Sequence, residues 1–373
     1  MLPAREIRRI LLVRLSALGD VVNTLPAVSA VREAFPRARL GFIVEDRCRD
    51  VVAGHPAIDR VYVYPRRRWQ NDFFRFWRWG RLVSEVTAFF RDIRAERYDV
   101  ALDFQGNLKG ALHAWFSGSH ERIGFARGHC NELNWLFSTV RVRPSTERMY
   151  RVEKFLALLA PLGITPASPH YVFPRSAESR SRARRFLAEA GWPDGNYIVL
   201  HPGTSEFGKI KRWPLDRFGA LARRLAAEGH RVLVAWGPGE RAMAETIAEQ
   251  GGPGVRVAME TRSILDLAEL IAGARVFVGA DSGPLHIASA VGVRSVALFG
   301  PKDPAVYGPY NPLGRVVYKP NGSGPASMEA ITVEDAHAAV ASVGALALKG
   351  SDAPPSGLAL KGSEAHPPGL EPS

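Results

Sequence analysis

Short apolar runs recur along this chain, each followed by a loop of small residues and then a stretch with helical periodicity. Ile10–Val13, Leu40–Val44, Val61–Tyr64 and Tyr98–Phe104 form one series; Tyr197–Leu200, Val232–Trp236, Val276–Val278 and Val296–Phe299 form a second. Runs of this kind are strands buried on both faces, which pair in parallel and are joined by helices. The alternation predicts an α/β protein with doubly wound parallel sheets. A chain of 373 residues exceeds one ordinary core and fits two such domains. The Pro-rich piece from Thr165 to Pro174 reads as their connection, giving expected domains at 1–172 and 173–346. Residues 347–373 are rich in Pro, Gly and Ser, repeat a short Leu-Ala-Leu-Lys-Gly-Ser run, and read as a disordered tail.

Charge narrows the partners. The formal net charge of +12 calls for an anion, and phosphorylated sugar, phospholipid and nucleic acid all qualify. No zinc-finger spacing or RNA-binding sheet signature occurs, so nucleic acid is not the expected partner. Ile10–Val13 is cut short by Arg14, no apolar run reaches membrane-span length, and no cleavage pattern follows, so the expected location is the cytoplasm. Cys48 and Cys130 have no close partner in sequence, which argues against a disulfide framework or a zinc site.

Several strand-to-helix loops carry residues suited to chemistry. Val276–Val278 leads through Gly279-Ala280-Asp281-Ser282-Gly283 to Pro284 and a helix, which leaves an open helix N-terminus where a phosphate is a fitting guest. The plainer role of Asp281 or Ser282 is a helix cap. Asp20 stands where the first strand gives way to a helix read as Val21 to Phe35, and its plainer role is again an N-cap. His201 to Pro214 offers hydroxyls, glycines and lysines for phosphate, yet lacks the Gly-Lys-Ser/Thr ending of a P-loop. Gly237-Pro238-Gly239-Glu240 lacks the third glycine of a dinucleotide fingerprint; Glu240 suits ribose hydroxyls or simply a helix start. Lys109 suits an acceptor phosphate or a solvated helix face, and Arg122 opens a further short strand-like piece.

Arg66 to Arg81 interleaves arginines with Trp69, Phe73, Phe74, Phe76, Trp77 and Trp79. Two readings compete: an amphipathic helix whose aromatics enter the core, or an arginine cluster for phosphates with aromatics at a membrane interface. Met149 to Leu162 reads as a helix with Arg151, Glu153 and Lys154 on its polar side.

Taken in order, Arg14-Leu15-Ser16-Ala17-Leu18-Gly19-Asp20, His201-Pro202-Gly203-Thr204, Lys211-Arg212-Trp213-Pro214, Asp281-Ser282-Gly283-Pro284-Leu285-His286 and Phe299-Gly300-Pro301-Lys302-Asp303-Pro304 resemble the family 9 glycosyltransferases, the heptosyltransferases of lipopolysaccharide core synthesis. The resemblance implies a GT-B architecture, two Rossmann-like domains facing across a cleft. It implies inverting, metal-independent heptose transfer from ADP-heptose with no cofactor, by a monomer working peripherally on the anionic cytoplasmic face of the inner membrane. Arg66 to Arg68, with Asp103-Phe104-Gln105-Gly106 and Lys109, are most like members acting on Kdo-lipid A. On this resemblance Asp20 is the base and Lys211 the diphosphate-binding lysine, with Lys209 two residues away as its competitor. Thr204, Ser205, Glu240, Asp281, Ser282, Gly283 and His286 fall at donor positions, and Arg66, Arg67, Arg68, Lys109 and Arg122 are the acceptor-binding candidates. The chemistry agrees with inversion, which needs one base and cations or N–H donors for a diphosphate leaving group. Rival readings are a heptosyltransferase acting later in the core, another nucleotide-sugar enzyme on this fold, and a basic binding protein without catalysis.

Overall fold

A computed structural model describes residues 7–146, 148–166, 168–320 and 326–345, with the backbone alone for 206, 207 and 345. The expected tail at 347–373 lies outside the described residues. The chain divides into two compact units, Met1–Pro174 and Arg175–Ser373. The first runs β1 (Arg9–Val13), α1 (Leu18–Ala34), β2 (Arg39–Glu45), β3 (Arg60–Tyr64), α2 (Arg66–Phe73), α3 (Trp79–Ala95), β4 (Val100–Asp103), α4 (Leu108–Phe116), β5 (Glu121–Phe125), β6 (Val140–Val142) and α5 (Arg151–Ala157). The second runs α6 (Ala177–Glu189), β7 (Tyr197–His201), α7 (Leu215–Ala227), β8 (Arg231–Val234), α8 (Arg241–Gly251), β9 (Val255–Val257), α9 (Ile264–Ala272), β10 (Val276–Ala280), α10 (Gly283–Ala290), β11 (Arg294–Phe299), α11 (Pro304–Tyr307), β12 (Arg315–Tyr318) and α12 (Val333–Ala345).

Each unit carries one six-stranded sheet, ordered β3-β2-β1-β4-β5-β6 in the first and β12-β11-β10-β7-β8-β9 in the second. The pairings in both are parallel, as the apolar strand runs require. Counted within its own unit, each sheet has the doubly wound order in which winding reverses beside the first strand. The reversal falls between β1 and β4 in one sheet and between β7 and β10 in the other. There the connecting helices leave on opposite faces, which opens a crevice at the strands' carboxyl ends.

Burial follows the sequence pattern. Ile10 to Val13 are wholly buried, and in α1 every residue from Val21 to Val31 is buried, so this helix is apolar nearly all round. Two of its buried polar groups are matched: Thr24 donates its hydroxyl to the Asp20 carbonyl at 2.8 Å, and Asn23 accepts from the Tyr171 hydroxyl at 3.1 Å; the buried Ser29 Oγ has no partner among the described residues. The Tyr171 bond packs the end of the Pro-rich piece onto the first unit. In the second, Val276, Val278, Ile198, Leu200, Val232 and Val234 form the sheet side of a core closed by Phe218, Leu221 and Val340.

Three expectations need correction. The first helix starts at Leu18 rather than Val21, so Asp20 is its third residue, while the N-cap is Ala17, which makes no side-chain cap bond. The Arg66 to Arg81 stretch is not one helix with its aromatics inside: α2 and α3 are separated by a turn, and of the six aromatics only Trp69 is buried. Finally, the helix expected over Met149 to Leu162 is α5 followed by a separate short 3-10 turn at Ala160–Leu162.

Candidate functional site

The singled-out loops of the first unit flank its switch point. Arg14, the residue after β1, is 5% exposed. Its Nη1 donates to the Phe104 carbonyl just beyond β4 at 2.6 Å, while Nη2 pairs with Asp20 Oδ2. Arg151 approaches the other Asp20 oxygen at 3.7 Å, so this arginine faces the carboxylate rather than a solvated helix side. Gln105 Oε1 accepts from the backbone N–H groups of Leu15 (3.0 Å) and Ser16 (3.3 Å), tying the loop after β4 to the loop after β1. Asp20 is therefore a quarter-exposed carboxylate with an arginine at each of its two oxygens.

Beneath it lies Asp103, the buried last residue of β4. One oxygen accepts from the N–H groups of Gln105 and Gly106, and the other from Asn134 Nδ2 at 2.6 Å. Burial outweighs these bonds and pushes its pKa up to about 6. Gly110 is needed here by close approach, because a Cβ would stand 2.5 Å from Asp103 Oδ1 and 2.4 Å from the Gln105 Cβ.

Glu45, ending β2 and 1% exposed, brings together two of the acceptor candidates, Lys109 and Arg66. Its Oε1 accepts from Lys109 Nζ at 2.6 Å and from the Ser16 hydroxyl at 3.0 Å, with Arg66 at 3.5 Å. Burial alone would raise the Glu45 pKa, but the hydrogen bond and charge of Lys109, followed by Arg47 and Arg66, hold it below the usual carboxylate range. Arg67 is exposed, and Arg68 pairs with Glu85. Arg122 is not brought to this edge. It sits level with Ala101, short of the strand's end, and its guanidinium donates to the carbonyls of Phe137 and Ser119.

In the second unit the loops after β7 and β10 likewise flank the switch point. Asp281 follows β10; its Oδ2 accepts from Lys211 Nζ at 2.6 Å, and His286 Nε2 lies 3.7 Å from Oδ1. Burial acts to raise the Asp281 pKa, but His286 and then Lys211 outweigh it and hold it below the ordinary value. Ser282 occupies the N-cap of α10 without making a side-chain cap bond, and its buried Oγ has no partner among the described residues. The first turn holds Gly283 and Pro284 and no acidic side chain. The capping role foreseen for Asp281 or Ser282 is thus not taken up, and the helix end is left open to an anion.

Beside it, Arg212 donates from Nε to the Thr204 hydroxyl (3.0 Å) and from Nη2 to the Thr204 carbonyl (2.7 Å), and stands 3.7 Å from Glu240. Glu240 accepts from the Gly237 N–H at 3.0 Å. Its carboxylate rests directly on Gly203, where a Cβ would lie 1.9 Å from Oε2. Lys209 and Ser205 are exposed. Between the two competing lysines, Lys211 is the one paired with Asp281.

Sequence reasoning missed Arg14, Glu45, Arg151 and Arg212 as members of these clusters. Arg14 and Glu45 had a usable signal: each is a charged residue at the carboxyl end of a buried apolar run, where loops open onto the crevice. Arg212 was hidden beside two lysines, and no local pattern distinguishes Arg151. Among the described residues no His, Cys, Asp and Glu side chains group in a way that could hold a metal ion.

Residues 86–335 match the family described as Glycosyltransferase family 9 (heptosyltransferase). A lipopolysaccharide heptosyltransferase 1 from Pseudomonas aeruginosa is 31% identical over 297 residues, covering 79% of each chain. The protein of the same name from Escherichia coli K12 is 30% identical over 299 residues, covering 79% of this chain and 89% of the other. Among solved structures, the E. coli heptosyltransferase WaaC with ADP superposes with a TM-score of 0.74 at 26% identity, over 90% of this chain and 99% of that one.

Proposed function

The chain belongs to glycosyltransferase family 9, and from that membership we propose that it transfers heptose from ADP-heptose in assembly of the lipopolysaccharide core. It is a glycosyltransferase, and the acceptor that its sequence favours is the Kdo-lipid A inner core. The observation that carries the reading is the open N-terminus of α10 with Lys211 on Asp281, next to Arg212 and Glu240. N–H donors and cations for a diphosphate, a carboxylate for ribose hydroxyls and a switch-point crevice are the requirements of a nucleoside-diphosphate sugar.

In the reaction, Asp20 takes the proton from the acceptor hydroxyl as its oxygen attacks the anomeric carbon. The bond from that carbon to the diphosphate oxygen breaks and its electron pair leaves with ADP, which inverts the sugar's configuration. Arg14 and Arg151 orient Asp20. Lys211, with the N–H groups at α10, takes up the charge developing on the leaving group, so no metal is called for. Arg66 and Lys109, held over Glu45, bind acceptor phosphate or carboxylate. Among the described residues no helix is long and apolar enough to cross a membrane. With a lipid-linked acceptor, the enzyme works at the anionic cytoplasmic face of the inner membrane as a peripheral protein.

ADP release from ADP-heptose, with and without Kdo-lipid A, tests the proposal directly. Release should depend on the acceptor and fall by about 10³-fold in Asp20→Ala with ADP binding retained. Near-normal turnover in that variant removes Asp20 as the base. Release prompted only by a different sugar nucleotide or a later core acceptor redirects the substrate.

A further inference from the structure

Six large apolar side chains stand in water on one side of the first unit. Phe74 is 78% exposed, Phe76 75% and Trp77 68%, with Phe73, Trp79 and Val83 also more than half exposed. They are one feature rather than scattered residues. Phe73 contacts both Phe74 and Trp79, and Phe76 contacts Trp77, so the turn between α2 and α3 is a knot of aromatic rings facing outward. A cluster of this size on a soluble surface marks an interaction site.

The knot continues along α3. Phe89 and Ile93 serve the core: Phe89 meets Tyr62 and Trp69 edge-on, and Ile93 is fully buried. Trp79 and Val83, one turn apart, begin a second stripe beside that core face, and Phe90, half-buried against the core, closes it. It ends in a groove formed by Val86, Thr87, Phe90 and Phe116 between Arg91 and Arg94. The helix carries more apolar surface than its own domain covers.

Charge identifies what covers it. From 66 to 81 the sequence holds Arg66, Arg67, Arg68, Arg75, Arg78 and Arg81 against Asp72 alone. Asp72 is buried and paired with Arg78, Arg81 is exposed and bonded to Glu85, and Arg67 and Arg75 are exposed. Aromatics at the boundary between headgroups and acyl chains, with guanidinium groups at the phosphates, are the composition of an element lying in an anionic membrane surface.

We propose that the α2–α3 turn and the outward stripe of α3 form the membrane-docking surface of this protein, seating it on an anionic phospholipid leaflet. The inference rests on the lipid-linked acceptor proposed above and adds the place of contact. Helix α2 begins at Arg66, beside Lys109 over Glu45, and its eight residues end at Phe73 in the aromatic knot. That is about 12 Å of helix. Docking by the knot holds the acceptor cations at headgroup level, where the sugar of a membrane-anchored acceptor projects.

The test uses the full chain and sonicated vesicles of phosphatidylethanolamine with phosphatidylglycerol, against phosphatidylcholine alone. The wild type should sediment with the anionic vesicles and lose them at high salt. A F74S/F76S/W77S variant should bind roughly tenfold less or weaker still, and Arg75→Glu should have a similar effect. Both variants should turn over acyl-free Kdo acceptor in solution like the wild type and lose rate only on Kdo-lipid A embedded in vesicles. Wild type that ignores anionic vesicles, or a triple variant that binds them unchanged, overturns the docking surface while leaving heptose transfer in solution intact. Conversion from dimer to monomer in the triple variant also overturns it, because a second copy would then cover the rings. Vesicle binding without any heptose transfer would sink the proposed function and leave this surface standing.

Discussion

Two helices, α1 and α10, start at the switch points of the two sheets, and they treat the same helix-end field in opposite ways. Helix α1 places Asp20 in its first turn, where the N-terminal field favours a carboxylate, and two arginines orient it. Helix α10 keeps its first turn free of acids, with Ser282, Gly283 and Pro284 at its opening, and its carboxylate, Asp281, is turned to Lys211 and His286. In the proposed mechanism one helix end is occupied by the group that receives a proton, and the other is left for a phosphate to occupy. A shared topology thus supplies two equivalent positions, and a few first-turn side chains decide which chemistry each performs.

The division can be broken most forcefully at Lys211. Lys211→Ala should lower kcat by about 10²- to 10³-fold and weaken ADP binding, whereas Lys209→Ala should leave both near normal. Steady-state rates and ADP titration decide between them, and the opposite ranking would move the diphosphate site to Lys209. A second contrast concerns pH. In the first unit, burial holds His55 and His113 down at about 4, so each stays neutral when folded but takes a proton near 6.5 when unfolded. Their contribution to stability is complete above about pH 6.5 and is lost as pH falls toward 4. Between pH 7 and 5 each loses about 2 kcal/mol. Asp103, raised to about 6, acts the other way, since its protonation favours the folded state as pH falls through 6. His113→Phe should retain the ring contacts with Tyr64 and Phe90 and remove about 2 kcal/mol of acid sensitivity in urea unfolding at the two pH values. An unchanged pH dependence would mean that His113 titrates normally.

Smaller changes sharpen the comparison within the second unit. Gly203→Ala would force the Glu240 carboxylate off its seat and should raise the KM for the nucleotide sugar about tenfold, with kcat less affected. Equal kinetic parameters for wild type and variant would show that Glu240 does not contact the donor. Ser282→Asp preserves a good capping residue while making the end of α10 resemble that of α1. It should weaken ADP binding by roughly fivefold and stabilise the helix by a few tenths of a kcal/mol. Tighter ADP binding would contradict an anion site there.

Much of this was legible because parallel strands and their loops are local patterns. Buried strands announce themselves as apolar runs, and the motifs at their carboxyl ends marked Asp20, Lys211, Glu240 and Asp281 before any fold was known. Boundaries were less legible: Asp20 belongs inside α1 because Leu18 and Gly19 join the helix, which no capping residue signals. The aromatic stretch from 66 to 81 had two consistent readings, since local periodicity says where side chains point along a helix but not whether another element covers them. The turn at 74–78 breaks the stretch into two helices, and five of the stretch's six rings are exposed.

By itself, then, the sequence determined the class of fold, the two series of strands and the residue types at each crevice, because these depend on neighbours within a few positions. Only tertiary structure decided which partners meet. Arg14 reaches a carbonyl ninety residues away, Glu45 gathers Lys109 and Ser16, Arg212 rather than a lysine holds Thr204, and Arg122 is drawn off to Phe137 and Ser119. The physical reason is that a charged side chain at a buried edge is placed by whichever opposite charge or carbonyl the sheet order brings beside it, and sheet order is a property of the whole chain.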